Sequence, residues 1–89
     1  MYRVVWLREA QEALARHWVN AGSSLRKSIT TACHKVDQRL QANPWEESES
    51  RIDNTRVLFE SPLTVFYAIH EPTKTVVVLR IRQYQKRRK

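Results

Sequence analysis

The chain has 89 residues, room for one hydrophobic core and not two. Hydrophobic side chains at 42% and charged ones at 28% exclude a disordered or fibrous chain, the single Gly22 excludes glycine-rich phosphate loops, and the single Cys33 excludes an internal disulfide. The net charge is +7 and it is concentrated: residues 80–89 hold six basic side chains and no acidic one, while the rest carries ten basic and nine acidic. The longest apolar runs, residues 4–7 and 76–79, are far too short to span a membrane, and residues 1–7 lack the pattern of a signal peptide. These features predict a single domain over residues 1–89, soluble and cytoplasmic, with no membrane contact.

Residues 2–7 are β-branched and aromatic and read as an opening strand. Over residues 9–20 the period changes: Ala10, Leu14 and Trp18 recur every fourth residue while Glu9, Glu12 and Arg16 face away, which predicts a helix. Gly22 is placed to close it in a left-handed conformation, and Ser23 or Ser24 to cap the next helix. Leu25, Ile29, Ala32, Val36 and Leu40 mark the buried stripe of that second helix, which Asn43-Pro44 stops. A link of about three residues folds the two helices back as an antiparallel hairpin. Residues 45–54 read as an acidic loop. Strands follow over 55–60, 63–70 and 75–83, joined at Ser61-Pro62 and at residues 71–74. The fold class is therefore α+β, in the order β-α-α-β-β-β: a mainly antiparallel four-stranded sheet with an N-terminal helical hairpin packed on one face.

Strict alternation along the last strand turns Val77, Leu79 and Ile81 toward the helices and Arg80 and Arg82, with Val76 and Val78, toward the open side. Arg56 is expected to join the two arginines there. A phosphate backbone or an acidic protein segment is the partner such a field attracts.

His17, Cys33, His34 and His70 are scattered, so no metal site is expected. Cys33 sits mid-helix beside the buried stripe, where thiols are inert. Trp6, Trp18, Phe59 and Phe66 are assigned to core packing, and Trp45 to the end of the hairpin or the edge of the core. Tyr84 lies among Arg82, Gln83, Gln85 and Lys86, where an aromatic ring can stack on a base while the cations hold phosphates, or can simply anchor the strand's end.

The element order, the segment RVLFESPLTVFYAI at 56–69 and the segment VVVLRIR at 76–82 resemble the RelE/ParE superfamily of toxins, over almost the whole chain. These are the toxic halves of bacterial type II toxin–antitoxin systems. The resemblance implies a cognate acidic antitoxin that folds as it wraps the toxin, and no cofactor. It implies one of two activities. RelE-like members cut mRNA on the ribosome without a metal, the RNA's own 2′-OH attacking the adjacent phosphate; ParE-like members poison DNA gyrase. For cleavage the resemblance carries over Arg56, Arg82, Tyr84 and Lys86 as catalytic candidates, with Arg80, Arg82, Lys86, Arg87 and Arg88 on phosphate. The arginine such toxins show early in the middle meander strand falls at Thr64 here. The expectation is a growth-inhibiting toxin, leaning to ribosome-dependent mRNA cleavage; the alternatives are gyrase inhibition or a non-toxic relative that only binds an acidic partner. A homodimer or a toxin–antitoxin hetero-oligomer is compatible with the helical hairpin.

Overall fold

The computed structural model describes residues 1–45, 49–50 and 55–83, the side chains of 49–50 excepted. Its elements run β1 (Arg3–Trp6), α1 (Arg8–Val19), α2 (Ser23–Ala42), β2 (Glu49–Ser50), β3 (Arg56–Glu60), β4 (Leu63–His70) and β5 (Thr75–Gln83). The strands form one sheet in the order β1-β5-β4-β3-β2. Strand β1 runs parallel to β5, and every other pairing is antiparallel. The expected α+β architecture holds. The sheet gains the two-residue edge strand β2, within a segment read from the sequence as loop.

The helical hairpin packs on one face of the sheet. Ala10 and Ala13 of α1 and Ala32, Val36 and Leu40 of α2 meet Leu58, Leu63, Val65, Tyr67, Val76, Val78 and Ile81. Small residues on α1 let the helix lie close to the strands, and larger aliphatics from α2 fill the rest. Buried polar tips fix the arrangement. The Tyr67 hydroxyl donates to the Pro44 carbonyl at 2.7 Å, and Trp6 Nε1 donates to Asp37 at 3.1 Å.

Strict alternation fails in β5. Phe66 pairs with Arg80 and Tyr67 with Val78, which leaves Leu79 as the extra residue of a β-bulge. Val76 and Val78 therefore face the helices, fully buried, together with Ile81. Val77 and Leu79 are only half-buried. The expected assignment of Val77 and Leu79 to the core, and of Val76 and Val78 to the open side, is thus reversed upstream of the bulge; Ile81, Arg80 and Arg82 lie where expected.

The caps also differ from expectation. Gly22 has φ −75° and extended backbone, and it is the residue before α2, not a left-handed end to α1. Neither Ser23 nor Ser24 caps α2; both lie inside it. Helix α1 is closed from across the hairpin: Arg26 Nε donates to the Trp18 carbonyl at 2.9 Å and Nη2 to the Val19 carbonyl at 3.1 Å, with the guanidinium 4.3 Å from the Trp18 ring centroid. A cation at a helix C-terminus satisfies otherwise orphaned carbonyls and the dipole together. The site assigned to Trp18 in the core is corrected accordingly: the ring is 42% exposed. No helix among the described residues is long and apolar enough to cross a membrane.

Candidate functional site on the open sheet face

The bulge at Leu79 presents Arg80 and Arg82, both exposed, on the face away from the helices. Cross-strand register sorts this face into rows. In one row Phe59 pairs with Thr64 and Thr64 with Arg82; in the next, Val57 pairs with Phe66 and Phe66 with Arg80. Arg80 lies with its guanidinium 4.8 Å from the Phe66 ring centroid, a cation–π contact that holds the arginine flat on the sheet. Phe59 is 54% exposed, so it belongs to this surface and not to the core. Phe66, also assigned to the core from the sequence, is half-buried beneath Arg80. A groove of about 350 Å³ runs along this side, lined by Leu7, Glu9, Thr55, Phe66, Leu79 and Arg80.

Arg56 is not on this face. It pairs across from Tyr67 and shares strand parity with Leu58, both of them core residues. Its Nη2 donates to the Trp45 carbonyl at 2.9 Å, and its guanidinium lies 5.2 Å from the Trp45 ring centroid. The expectation that Arg56 joins Arg80 and Arg82 is corrected. The sequence signal for this is the parity that Arg56 shares with Leu58, an aliphatic residue that the core buries. Tyr84, Lys86, Arg87 and Arg88 lie outside the described residues.

Trp45 anchors a second polar cluster at the edge of the helix-covered face. Glu71 accepts from Trp45 Nε1 at 2.9 Å and from the Tyr2 hydroxyl at 2.9 Å, and pairs with Lys74 Nζ at 3.0 Å. The Lys74 hydrogen bond, then those from Trp45 and Tyr2, hold the Glu71 carboxyl down to about 2. Lys74 itself, at φ 52°, is the left-handed residue that ends the 3₁₀ turn Glu71–Thr73. This cluster ties the end of α2 to the β4–β5 turn.

Between the helices lies an apolar groove of about 330 Å³, where Leu14, Trp18, Ile29, Cys33 and His34 form part of the lining. Burial, and then the nearby Asp37 charge, push the Cys33 thiol up, so it stays protonated. His70 shares parity with Phe66, but four residues of strand place it about 13 Å further along. Among the described residues no group of three His, Cys or carboxylate side chains converges as ion ligands.

No family model matches the chain, and no curated protein matches it either. Solved structures do. At 17% identity and a TM-score of 0.77, the chain is similar to a chain of the toxin–antitoxin complex RelBE2 from Mycobacterium tuberculosis, with 96% of this chain and 93% of that one covered. The chromosomal ParDE system of P. aeruginosa matches at 17% identity and TM-score 0.73, covering 96% and 98%. The isolated E. coli RelE toxin matches at 16% identity and TM-score 0.63, covering 98% and 88%. A helical hairpin on one face of a mixed sheet is thus the fold that this chain shares with these RelE and ParE structures over nearly its whole length.

Proposed function

We propose that this chain is the toxic half of a type II toxin–antitoxin pair and that it arrests growth by binding DNA gyrase. The likeness to RelE and ParE structures over nearly the whole chain supports the first part. The observation that carries the second is the makeup of the open face: Arg80 and Arg82 stand beside Phe66 and the exposed Phe59, while Arg56 is turned away. Cleavage needs a group to move protons as well as cations for the phosphate. Among the described residues, the groove beside Arg80 brings one proton-carrying group, the Glu9 carboxylate, and no His, Lys or Tyr. Exposed arginine and aromatic side chains are instead the materials of protein-binding hot spots. The antitoxin is an acidic chain with an amphipathic helix: net charge +7 attracts the acid, and the groove between α1 and α2 fits an apolar helix face.

A second reading is ribosome-dependent mRNA cleavage. It is favoured by the placement of Arg80 and Arg82 on one face two to six residues before Tyr84 and Lys86 in the sequence. Induced expression in a bacterial host, with DNA and protein synthesis pulse-labelled separately, decides between them. Arrest of DNA synthesis, relieved by Arg80→Ala with Arg82→Ala, is the expected result, together with inhibition of gyrase supercoiling by the purified chain. An early fall in translation, with mRNA cut on ribosomes, would replace this reading with the second. Normal growth would remove both.

A further inference from the structure

Helix α2 carries Lys27, Thr31 and Lys35 at four-residue spacing, with Ser28 next to them. Helical geometry confines these four positions to an arc of about 100° over about 12 Å of axis. The turn between β3 and β4 stands opposite, and its Glu60 and Ser61 form the other wall of a cleft of about 270 Å³. Ala32 is the one apolar residue in the lining; the rest is two ammonium groups, three hydroxyls and a carboxylate. That carboxylate is already answered, because Arg39 Nη1 holds Glu60 Oε1 at 2.7 Å. Lys27 and Lys35 are exposed, and neither has an acidic partner among the described residues.

A lysine stripe on a helix is ordinarily a solvated face. Here it is one wall of a concavity whose opposite wall adds a hydroxyl and a neutralised carboxylate, so the cleft as a whole is cationic. Ammonium groups spread along the helix with hydroxyl donors between them suit a run of phosphates, since lysine and Ser/Thr side chains are the usual partners of backbone phosphate oxygens. The lining lacks the apolar anchors that an acidic peptide would use. The position is also distinct from the open face. Leu63 pairs with Gln83, so the cleft and the Arg80–Arg82 face flank the same end of the sheet from opposite sides.

We infer that this cleft is a phosphate-binding site, formed by Lys27, Lys35, Ser28, Thr31 and Ser61, that takes the phosphodiester backbone of a nucleic acid. It binds without reading sequence, and it does not depend on whether the toxin reading holds, because it is tested by binding and not by growth arrest.

The test is fluorescence anisotropy of the purified chain with a labelled twelve-nucleotide oligouridine between 50 and 200 mM salt. Wild type is compared with Lys27→Ala/Lys35→Ala and with Lys27→Arg/Lys35→Arg. Removing two phosphate contacts should reduce the slope of log affinity on log salt by about 1.4, given about 0.7 per neutralised charge on a single strand. Affinity at 50 mM salt should fall about tenfold or more, and the double arginine variant should keep both. Both lysines are exposed, so the melting temperature should stay within about 3 °C of wild type, separating lost binding from lost folding. An unchanged slope and affinity in the double alanine variant overturns the proposal. So does displacement of the oligonucleotide by millimolar inorganic phosphate at matched ionic strength, which would make this a simple anion site. Loss of polyglutamate binding with oligonucleotide binding intact also overturns it, and points to an acidic protein.

Discussion

The bulge at Leu79 makes opposite demands on two adjacent valines, and a pair of near-isosteric substitutions separates them. Val76 is fully buried among the residues that face α1 and α2, whereas Val77 is half-buried on the open side. Threonine keeps the shape of valine and adds a hydroxyl. At position 76 that hydroxyl enters a packed apolar environment, which costs about 1–3 kcal/mol when it lacks a partner. At position 77 water reaches the side chain, and the cost falls below about 1 kcal/mol. A domain of this size moves in melting temperature by about 4–8 °C per kcal/mol. Val76→Thr should therefore lower the midpoint by roughly 5–20 °C, and Val77→Thr by a few degrees at most. Thermal unfolding followed by circular dichroism at one protein concentration reads both. Simple alternation through β5 predicts the reverse order, so a larger loss from Val77→Thr would refute the bulged register and with it the placement of the open face.

Glu71 gives a pH-dependent expectation. Its carboxyl is held at about 2 in the fold against an ordinary value of 4.5, so its contribution is fully present above about pH 4.5 and disappears as pH falls through about 2. Urea midpoints of wild type and Glu71→Gln should differ at pH 7 and converge toward pH 2; a gap that persists at pH 2 would show that the carboxylate charge is not what matters. Arg26→Ala removes two hydrogen bonds to the end of α1 and the stacking on Trp18, which should cost about 1–2 kcal/mol. Gly22→Ala, by contrast, should be nearly neutral in the same melting assay, since its φ is ordinary and a Cβ there meets nothing within 4 Å.

The sequence made most of the architecture legible because hydrophobic period is a direct record of burial. The recurrence of Ile29, Ala32, Val36 and Leu40 at three- and four-residue spacing marks α2, and the alternation of Leu63, Val65 and Tyr67 marks β4; all seven are buried. What was illegible depended on partners far along the chain. The end of α1 is satisfied by Arg26 and not by its own Gly22, a choice made only when α2 folds back. The face of Arg56 is not legible because arginine tolerates both: its long side chain reaches Trp45 from a strand position that otherwise points at the core. Phe59 read as core because its hydrophobicity does not say which side of a strand is covered.

The segment VVVLRIR shows why the site depends on the irregularity and not only on the residues. Its buried members, Val76, Val78 and Ile81, are spaced two and then three apart. A regular strand cannot put that set on one face. Were Leu79 to continue the regular alternation, Arg80 and Arg82 would share parity with Val76 and Val78 and point into the helical hairpin, where each unpaired guanidinium would cost several kcal/mol. Ile81 would be turned to the open side at the same time. Leaving Leu79 unpaired as a bulge reconciles both demands: the core keeps three aliphatic residues, and the arginines emerge on the opposite face beside Phe66 and Thr64. A bulge raises local twist and re-aims side chains. In this chain that re-aiming is what turns one strand into both a wall of the core and the source of the open face's two arginines.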